Sequence, residues 1–165
     1  MTYDLEDLLS DLETYLKANL NTKISAIEAE KVANGKGLTP TLATVSANAY
    51  FEQNWNTNIL SYSPAIFYGV ENVEAVEKVQ GHTIEKFTLF VECVLVDNGV
   101  KTDITKRVNR YARAIKETLE EGWSDVFGGG SKVVIETVAP ASFRLALDTS
   151  ETIRVGGVSI VTILG

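Results

Sequence analysis

The sequence predicts a single α+β domain of two layers, in which a mostly antiparallel sheet of about four strands packs against two main helices and one long irregular loop. Leucines recur at helical spacing near the start, several later runs alternate as strands do, and one amphipathic helix interrupts those runs. With 165 residues, of which 45% are hydrophobic and 22% charged, the chain is long enough for one core and short for two. We therefore treat residues 1–165 as one domain.

The first predicted element is a helix over residues 3–31. Apolar residues recur there at steps of three and four, which places them on one stripe. They are Leu5, Leu8, Leu9, Leu12, Leu16, Leu20, Ile24 and Ile27. Asp4, Glu6 and Asp7 occupy the first turns, where carboxylates complement the helix dipole. We expect this helix to pack on the sheet, because so short a stripe is weak support for a coiled coil.

A long irregular loop follows at residues 33–61. It is rich in Asn, Ser, Thr and Gly and has no sustained period of two or of 3.6 residues. Compact domains seldom contain a loop of this length without a functional role, so it is predicted to contact a partner. Its aromatic residues Tyr50, Phe51 and Trp55 either fold back onto the core or await that partner, and we take them as candidate contact residues.

Two strands are predicted next, at residues 65–76 and 83–96, joined by a turn at 80–83 and paired as a hairpin. The second run has apolar residues on both of its faces, which predicts a central strand covered on both sides. It contains Cys93, the only cysteine of the chain, which we interpret as a buried and inert thiol.

The second predicted helix spans residues 102–122, with Gly122 at its end and Tyr111 on its apolar face. At 100° per residue its cations fall on the opposite face, as an outward-facing strip. They are Lys106, Arg107, Arg110, Arg113 and Lys116, with Arg107 and Lys116 flanking the other three.

This basic strip belongs to an acidic chain, with 15 Lys and Arg against 22 Asp and Glu and a net charge of −7. Three interpretations remain open for it: nucleic-acid binding, a solvated helix face, and pairing with an acidic protein surface. We favour the third, because the strip has no interleaved Phe or Trp for base stacking and because arginine grips carboxylates with two hydrogen bonds.

The remaining strands are predicted at residues 132–140, 143–147 and 152–164, the second of them a short extension. Within the last strand, Gly156 and Gly157 predict either a bulge or a tight hairpin.

The sequence predicts no catalytic, cofactor-binding or metal site, and we expect the protein not to be an enzyme. His82 is the only histidine, which excludes any zinc site that needs two imidazoles. Neither "NGKGLTP" at 34–40 nor "GGG" at 128–130 has the spacing or context of a phosphate-binding loop. No apolar run approaches the ~20 residues of a membrane helix, so no membrane partner is expected. We expect a soluble protein made inside the cell, because the start of the chain is acidic and amphipathic rather than signal-like.

The order of these elements resembles a known family. A first helix containing "LKANLNTKISAIEAEK", a strand introduced by "SPAIFYGV", a long apolar strand and a helix reading "RVNRYARAIKETLEEGW" resemble the neck and tail-terminator (tail-completion) proteins of tailed bacteriophages. The resemblance covers most of the chain, and "RYARAIKETL" (Arg110–Leu119) is its most recognisable part.

The resemblance implies a virion structural protein that forms a homohexameric ring at the head–tail junction. Such a ring caps the tail tube, contacts the tail-tube protein and the neck or connector proteins, and lets DNA pass through its lumen without specific binding. It is assembled in the cytoplasm of the host bacterium. The alternative is a small cytoplasmic module, unrelated to a virion, that binds nucleic acid or protein. Under the first interpretation, a second copy of the chain covers the face of strand 83–96 that the helices leave open, and the basic strip meets an acidic surface of a ring neighbour.

Overall fold

A computed structural model of the chain describes residues 4–52, 62–79, 82–97, 103–126, 134–140, 144–147 and 152–164. They form two helices and six strands. In chain order these are α1 (Leu5–Ala33), β1 (Tyr50–Glu52), β2 (Ala65–Val79), β3 (His82–Asp97), α2 (Ile104–Val126), β4 (Val134–Pro140), β5 (Arg144–Leu147) and β6 (Thr152–Leu164).

The six strands form one open, mixed sheet in the order β1-β2-β3-β6-β4, with β5 also pairing β6. Every pair is antiparallel except β1 and β2. The predicted α+β class with a mostly antiparallel sheet is confirmed. Four long strands (β2, β3, β6 and β4) make up its main part, and the two short ones extend it. Strand β1 lies within the segment that the sequence predicts to be irregular. The strand is not predicted because three residues are too few to show an alternating pattern.

The predicted hairpin is confirmed by the register of β2 and β3, which runs from Ala65 opposite Val94 to Val79 opposite His82. Two register shifts interrupt it, between Val70 and Asn72 and between Ala75 and Glu77. Such shifts bend a strand and increase its twist.

Helix α1 begins at a capping box, in which the side chains of Asp4 and Asp7 each accept a hydrogen bond from the other's backbone N–H. The predicted stripe is confirmed: it is buried from Leu8 to Ile27, and Leu5 packs against it half-buried. The two helices lie together, since the hydroxyl of Tyr15 donates to the carbonyl of Thr118 at 2.9 Å.

Both helices cover the same face of the sheet. Helix α2 contacts β3, β4 and β6, whereas α1 contacts α2 and β2. The hydroxyl of Tyr68 on β2 donates to the carboxylate of Glu13 on α1. Ile66, the next residue on that face of β2, lies opposite Cys93 of β3, so this face carries the core beneath the helices.

The second face of β3 is also buried within the chain. Phe90 and Val94 lie on it with 8% and 0% of their surface exposed, and the neighbouring Phe67 of β2 is 0% exposed. The ring of Phe51 stacks on that of Phe67, with centroids 5.1 Å apart. The chain itself therefore excludes water from these residues, and a contact of this face with a second copy of the chain stays a prediction.

Strand β6 runs without interruption through Gly156 and Gly157, and its register against β3 has no shift. The predicted bulge or hairpin at this position is wrong. Gly157 instead allows β3 to approach β6 closely, since a Cβ placed there would lie 2.1 Å from the carbonyl oxygen of Val91 and 2.6 Å from the Cα of Glu92.

Candidate interaction site

Three of the five cations on α2 lie at the surface, each in an ion pair within the chain. The Lys106 amine lies 2.9 Å from the carboxylate of Asp103, and the Lys116 amine 3.5 Å from that of Glu120. The guanidinium of Arg113 reaches Glu30 on α1 at 2.7 Å and Glu117 at 2.6 Å. These surface pairs contribute little stability each, and they leave the cations accessible.

The other two cations are buried, and the prediction that they face outward is wrong. Arg107 and Arg110 are only 5% and 7% exposed. The guanidinium of Arg110 forms an ion pair with Glu28 of α1 and donates to the carbonyl of Lys36. That of Arg107 donates to the carbonyls of Pro40 and Thr41.

The prediction of an outward-facing strip fails because α2 contacts two surfaces of the protein. One flank of the helix packs on the sheet, and Val108 and Ile115 of the apolar stripe are buried, as the stripe predicts. The adjacent flank faces α1 and the segment after it, and Arg107 and Arg110 project there. A cation can be buried on that flank because carboxylate and carbonyl acceptors replace part of its hydration.

Residues 34–49, which we call the α1–β1 loop, are fastened to the helices by side chains of both. The hydroxyl of Tyr111 donates to the carbonyl of Ala43 at 2.6 Å, and the carboxylate of Glu28 accepts the N–H of Leu42 at 3.2 Å. The side-chain amide of Asn21 pairs with both backbone groups of Val45, at 2.8 and 2.9 Å. The loop therefore has a defined path although it has no regular secondary structure.

The α1–β1 loop also contributes to the core. Leu42, Val45 and Ala49 belong to the main apolar cluster, and Leu38 is 8% exposed. Its leucines and its valine are thus covered by the chain itself, whereas Lys36, Pro40 and Ala43 are exposed, and the partner contact of residues 33–61 stays a prediction. The rest of that range lies outside the described residues.

Of the three candidate aromatic residues in 33–61, two lie within the described residues and one lies outside them. Tyr50 is 8% exposed, and burial raises its pKa to about 12. Phe51 is half-buried between Phe67 and Tyr62. Both fold back onto the core, so the expectation that they await a partner is wrong. Trp55 lies outside the described residues.

A basic groove of about 560 Å³ opens where the carboxyl end of α1, the turn "NGKG" (34–37) and the amino end of α2 meet. It is lined by Lys31, Gly35, Lys36, Gly37, Leu38, Asp103, Lys106, Asn109 and Arg110. Four of these residues are cationic and one is acidic. The positive end of the α2 dipole and the negative end of the α1 dipole meet at this groove and oppose each other, so its positive potential comes from the cationic side chains.

The opposite end of α1 is acidic. Residues 4–16 contain five carboxylates and no cation. The four nearest the start of the helix form what we call the acidic end of α1. They are Asp4, Glu6, Asp7 and Asp11. The two ends of one helix thus carry surfaces of opposite sign.

The described residues contain no group of three His, Cys, Asp or Glu side chains placed to hold a metal ion. Cys93 is 0% exposed, and burial raises the pKa of its thiol above the ordinary range, as expected of an inert thiol. Of the two described helices, neither combines the length and the apolar character needed to cross a membrane.

Comparison of the sequence with models of protein families gives no match, and comparison with curated proteins gives none either.

Proposed function

We propose that this chain is a structural protein of tailed-bacteriophage virions that forms a homohexameric ring at the head–tail junction. The ring caps the tail tube and joins it to the neck or connector proteins, and it is assembled in the cytoplasm of the host bacterium. This proposal rests on the resemblance in the order of elements. The order α1, loop, β2–β3 hairpin, α2 and further strands supports it.

The observation that carries the proposal is the outer edge of β2. Strand β1 pairs with β2 only from Ile66 to Tyr68, and no other described strand pairs with that edge from Gly69 to Val79. Residues 71–74 are exposed, including Val73 at 50%. An edge that the described strands leave unpaired, with an exposed apolar residue, is a template for pairing with another chain, as an assembly protein requires.

The edge is also protected against indiscriminate pairing. The two register shifts against β3 twist it, and Glu71 and Glu74 place charges beside it. Charges and bulges on an edge strand discourage random aggregation and leave pairing to a complementary surface. Such selectivity suits a ring of defined size.

The net charge of −7 further suits a ring through which DNA slides, because an acidic lumen repels phosphate. The alternative function, a small nucleic-acid-binding module, draws less support from the basic strip than the sequence suggests. Arg107 and Arg110 are committed to acceptors inside the chain, which removes two of the five cations from a DNA-binding face.

The test is the assembly state of the purified full chain, measured by native mass spectrometry and negative-stain electron microscopy over a concentration series. Closed rings of six copies that shorten tubes of the virion's tail-tube protein are the expected result. A chain that stays monomeric at every concentration and salt, or that binds duplex DNA with a steep salt dependence, would overturn the proposal in favour of the binding module.

A further inference from the structure

We propose that the basic groove of one copy of this chain binds the acidic end of α1 of a second copy, an inference that rests on the proposed ring. The groove and the acidic end are described above by their residues. The contact between them is a charge-paired, head-to-tail interface.

The two surfaces have the complementarity that such a contact needs. The groove is lined by Lys31, Lys36 and Lys106. The Lys31 amine also lies 3.4 Å from the carboxylate of Glu30, whereas the Lys106 side chain is 65% exposed despite its pairing with Asp103. The acidic end presents Glu6 and its neighbours with no cation in the same stretch. Opposed potentials of this kind direct two surfaces to one another and reject surfaces of like charge.

The two surfaces cannot pair within one copy. Asp7 and Lys31 are separated by 24 positions of a continuous helix, so a rise of 1.5 Å per residue places them about 36 Å apart. A second copy must supply the carboxylates that the groove receives. Because one patch meets a different patch, the contact is heterologous, and it generates a closed ring or an open filament.

The buried pair of Glu28 and Arg110 gives the groove a rigid floor. Arg110 holds the carbonyl of Lys36 and so fixes the turn that carries the Lys36 side chain. A groove whose shape is set before binding loses less conformational entropy when its partner arrives. The groove is therefore prepared for an ordered partner such as a helix end.

The experiment uses two charge-reversal variants of the full chain. The groove variant carries Lys36→Glu and Lys106→Glu. The acidic-end variant carries Glu6→Lys and Asp11→Lys, which leaves the capping box of Asp4 and Asp7 intact. Lys116→Glu, on α2 outside the groove, is the matched control. Circular dichroism and thermal unfolding establish that each variant folds.

We expect each reversal variant alone to lose assembly, with at least a tenfold rise in the concentration required, and the control to assemble as the wild type does. Mixing the two variants should restore assembly with the copies alternating, because each interface again joins opposite charges. Mass differences in native mass spectrometry identify this alternation, and rising salt should weaken it.

Assembly of the groove variant alone, or failure of the folded variants to assemble when mixed, would overturn this inference while wild-type rings still support the proposed function. Loss of DNA binding in the groove variant without loss of assembly would also overturn it. Wild-type filaments that the charge reversals abolish and mixing restores would support the inference and overturn the hexameric ring.

Discussion

Glu28 of α1 and Arg110 of α2 form an ion pair in which each side chain is only 9% exposed. The pair also holds the α1–β1 loop, since Glu28 accepts the N–H of Leu42 and Arg110 donates to the carbonyl of Lys36. One contact between residues 82 positions apart thus joins both helices and the loop.

Removal of Arg110 from this pair should be strongly destabilising. We expect Arg110→Met to lower the free energy of unfolding by about 3–5 kcal/mol, because it leaves the carboxylate of Glu28 buried without its counter-charge. Urea denaturation measures the change. Lys116→Met, which removes a half-exposed cation from the same helix, should change stability by no more than about 0.5 kcal/mol. Equal effects of the two substitutions would contradict the role assigned to the buried pair.

The amide of Asn21 provides a second test of the loop attachment. Asn21→Ala should cost about 1–3 kcal/mol, because both backbone groups of Val45 lose their partner. Asn21→Asp should not restore stability, since a carboxylate accepts the N–H but repels the carbonyl oxygen. Asn19 donates only to the carbonyl of Tyr15 in its own helix, so Asn19→Ala is the control. Hydrogen exchange of the Val45 amide should quicken in the two Asn21 variants and stay unchanged in Asn19→Ala.

Gly157 permits the close approach of β3 and β6. Gly157→Ala should destabilise the protein by about 3 kcal/mol or prevent folding, because the added carbon meets backbone atoms of Val91 and Glu92 that cannot move independently of the sheet. Gly69→Ala is a gentler comparison, since its new carbon meets only the ring of Phe90 at 3.1 Å. Thermal unfolding of the two variants should rank them in this order, and a harmless Gly157→Ala would mean that the two strands lie farther apart.

The pair of Glu30 and Arg113 should give stability a small dependence on pH, because both side chains are more than a third exposed and solvent screens their attraction. The hydrogen bond from Arg113 lowers the pKa of Glu30 from 4.5 to about 2. Because the folded-state pKa is depressed, the stabilisation is complete above pH 4.5 and is lost as the pH falls toward 2. The difference in urea midpoint between wild type and Glu30→Gln should therefore shrink over this interval. A difference that stays constant down to pH 2 would show that Glu30 titrates normally.

Much of the fold follows from local pattern. The stripe from Leu5 to Ile27, the alternation in β3 and the amphipathic α2 predict elements whose ends lie within a few residues of those found. Local pattern predicts the β2–β3 hairpin as well, since its strands adjoin in the chain. The sequence does not predict strand β1, because Tyr50 pairs with a residue 16 positions further along the chain and three residues are too few to indicate a parallel pairing.

The candidate site, too, is only partly predictable from local sequence pattern. The excess of cations on α2 is visible in the sequence. Which of them are buried is not, because a helical projection separates one apolar face from one polar face and does not show a second packing partner. Glu28, Pro40 and the other acceptors of the buried arginines come from distant segments of the chain. The basic groove likewise requires Lys31 and Lys36 to lie beside Lys106, a neighbourhood that only the packing of α1 on α2 creates.

The amino-acid sequence by itself determined the helices, the main strands, the α+β class and the surplus of positive charge on α2. The tertiary structure decided which of those charges enter the interior and which remain accessible. The physical reason is that periodicity is a property of neighbours along the chain, whereas burial of an arginine depends on whether acceptors arrive from elsewhere to replace its water. Here Glu28 accepts a hydrogen bond from Arg110 and a carbonyl of the α1–β1 loop accepts one from Arg107, whereas Lys106 remains exposed to water.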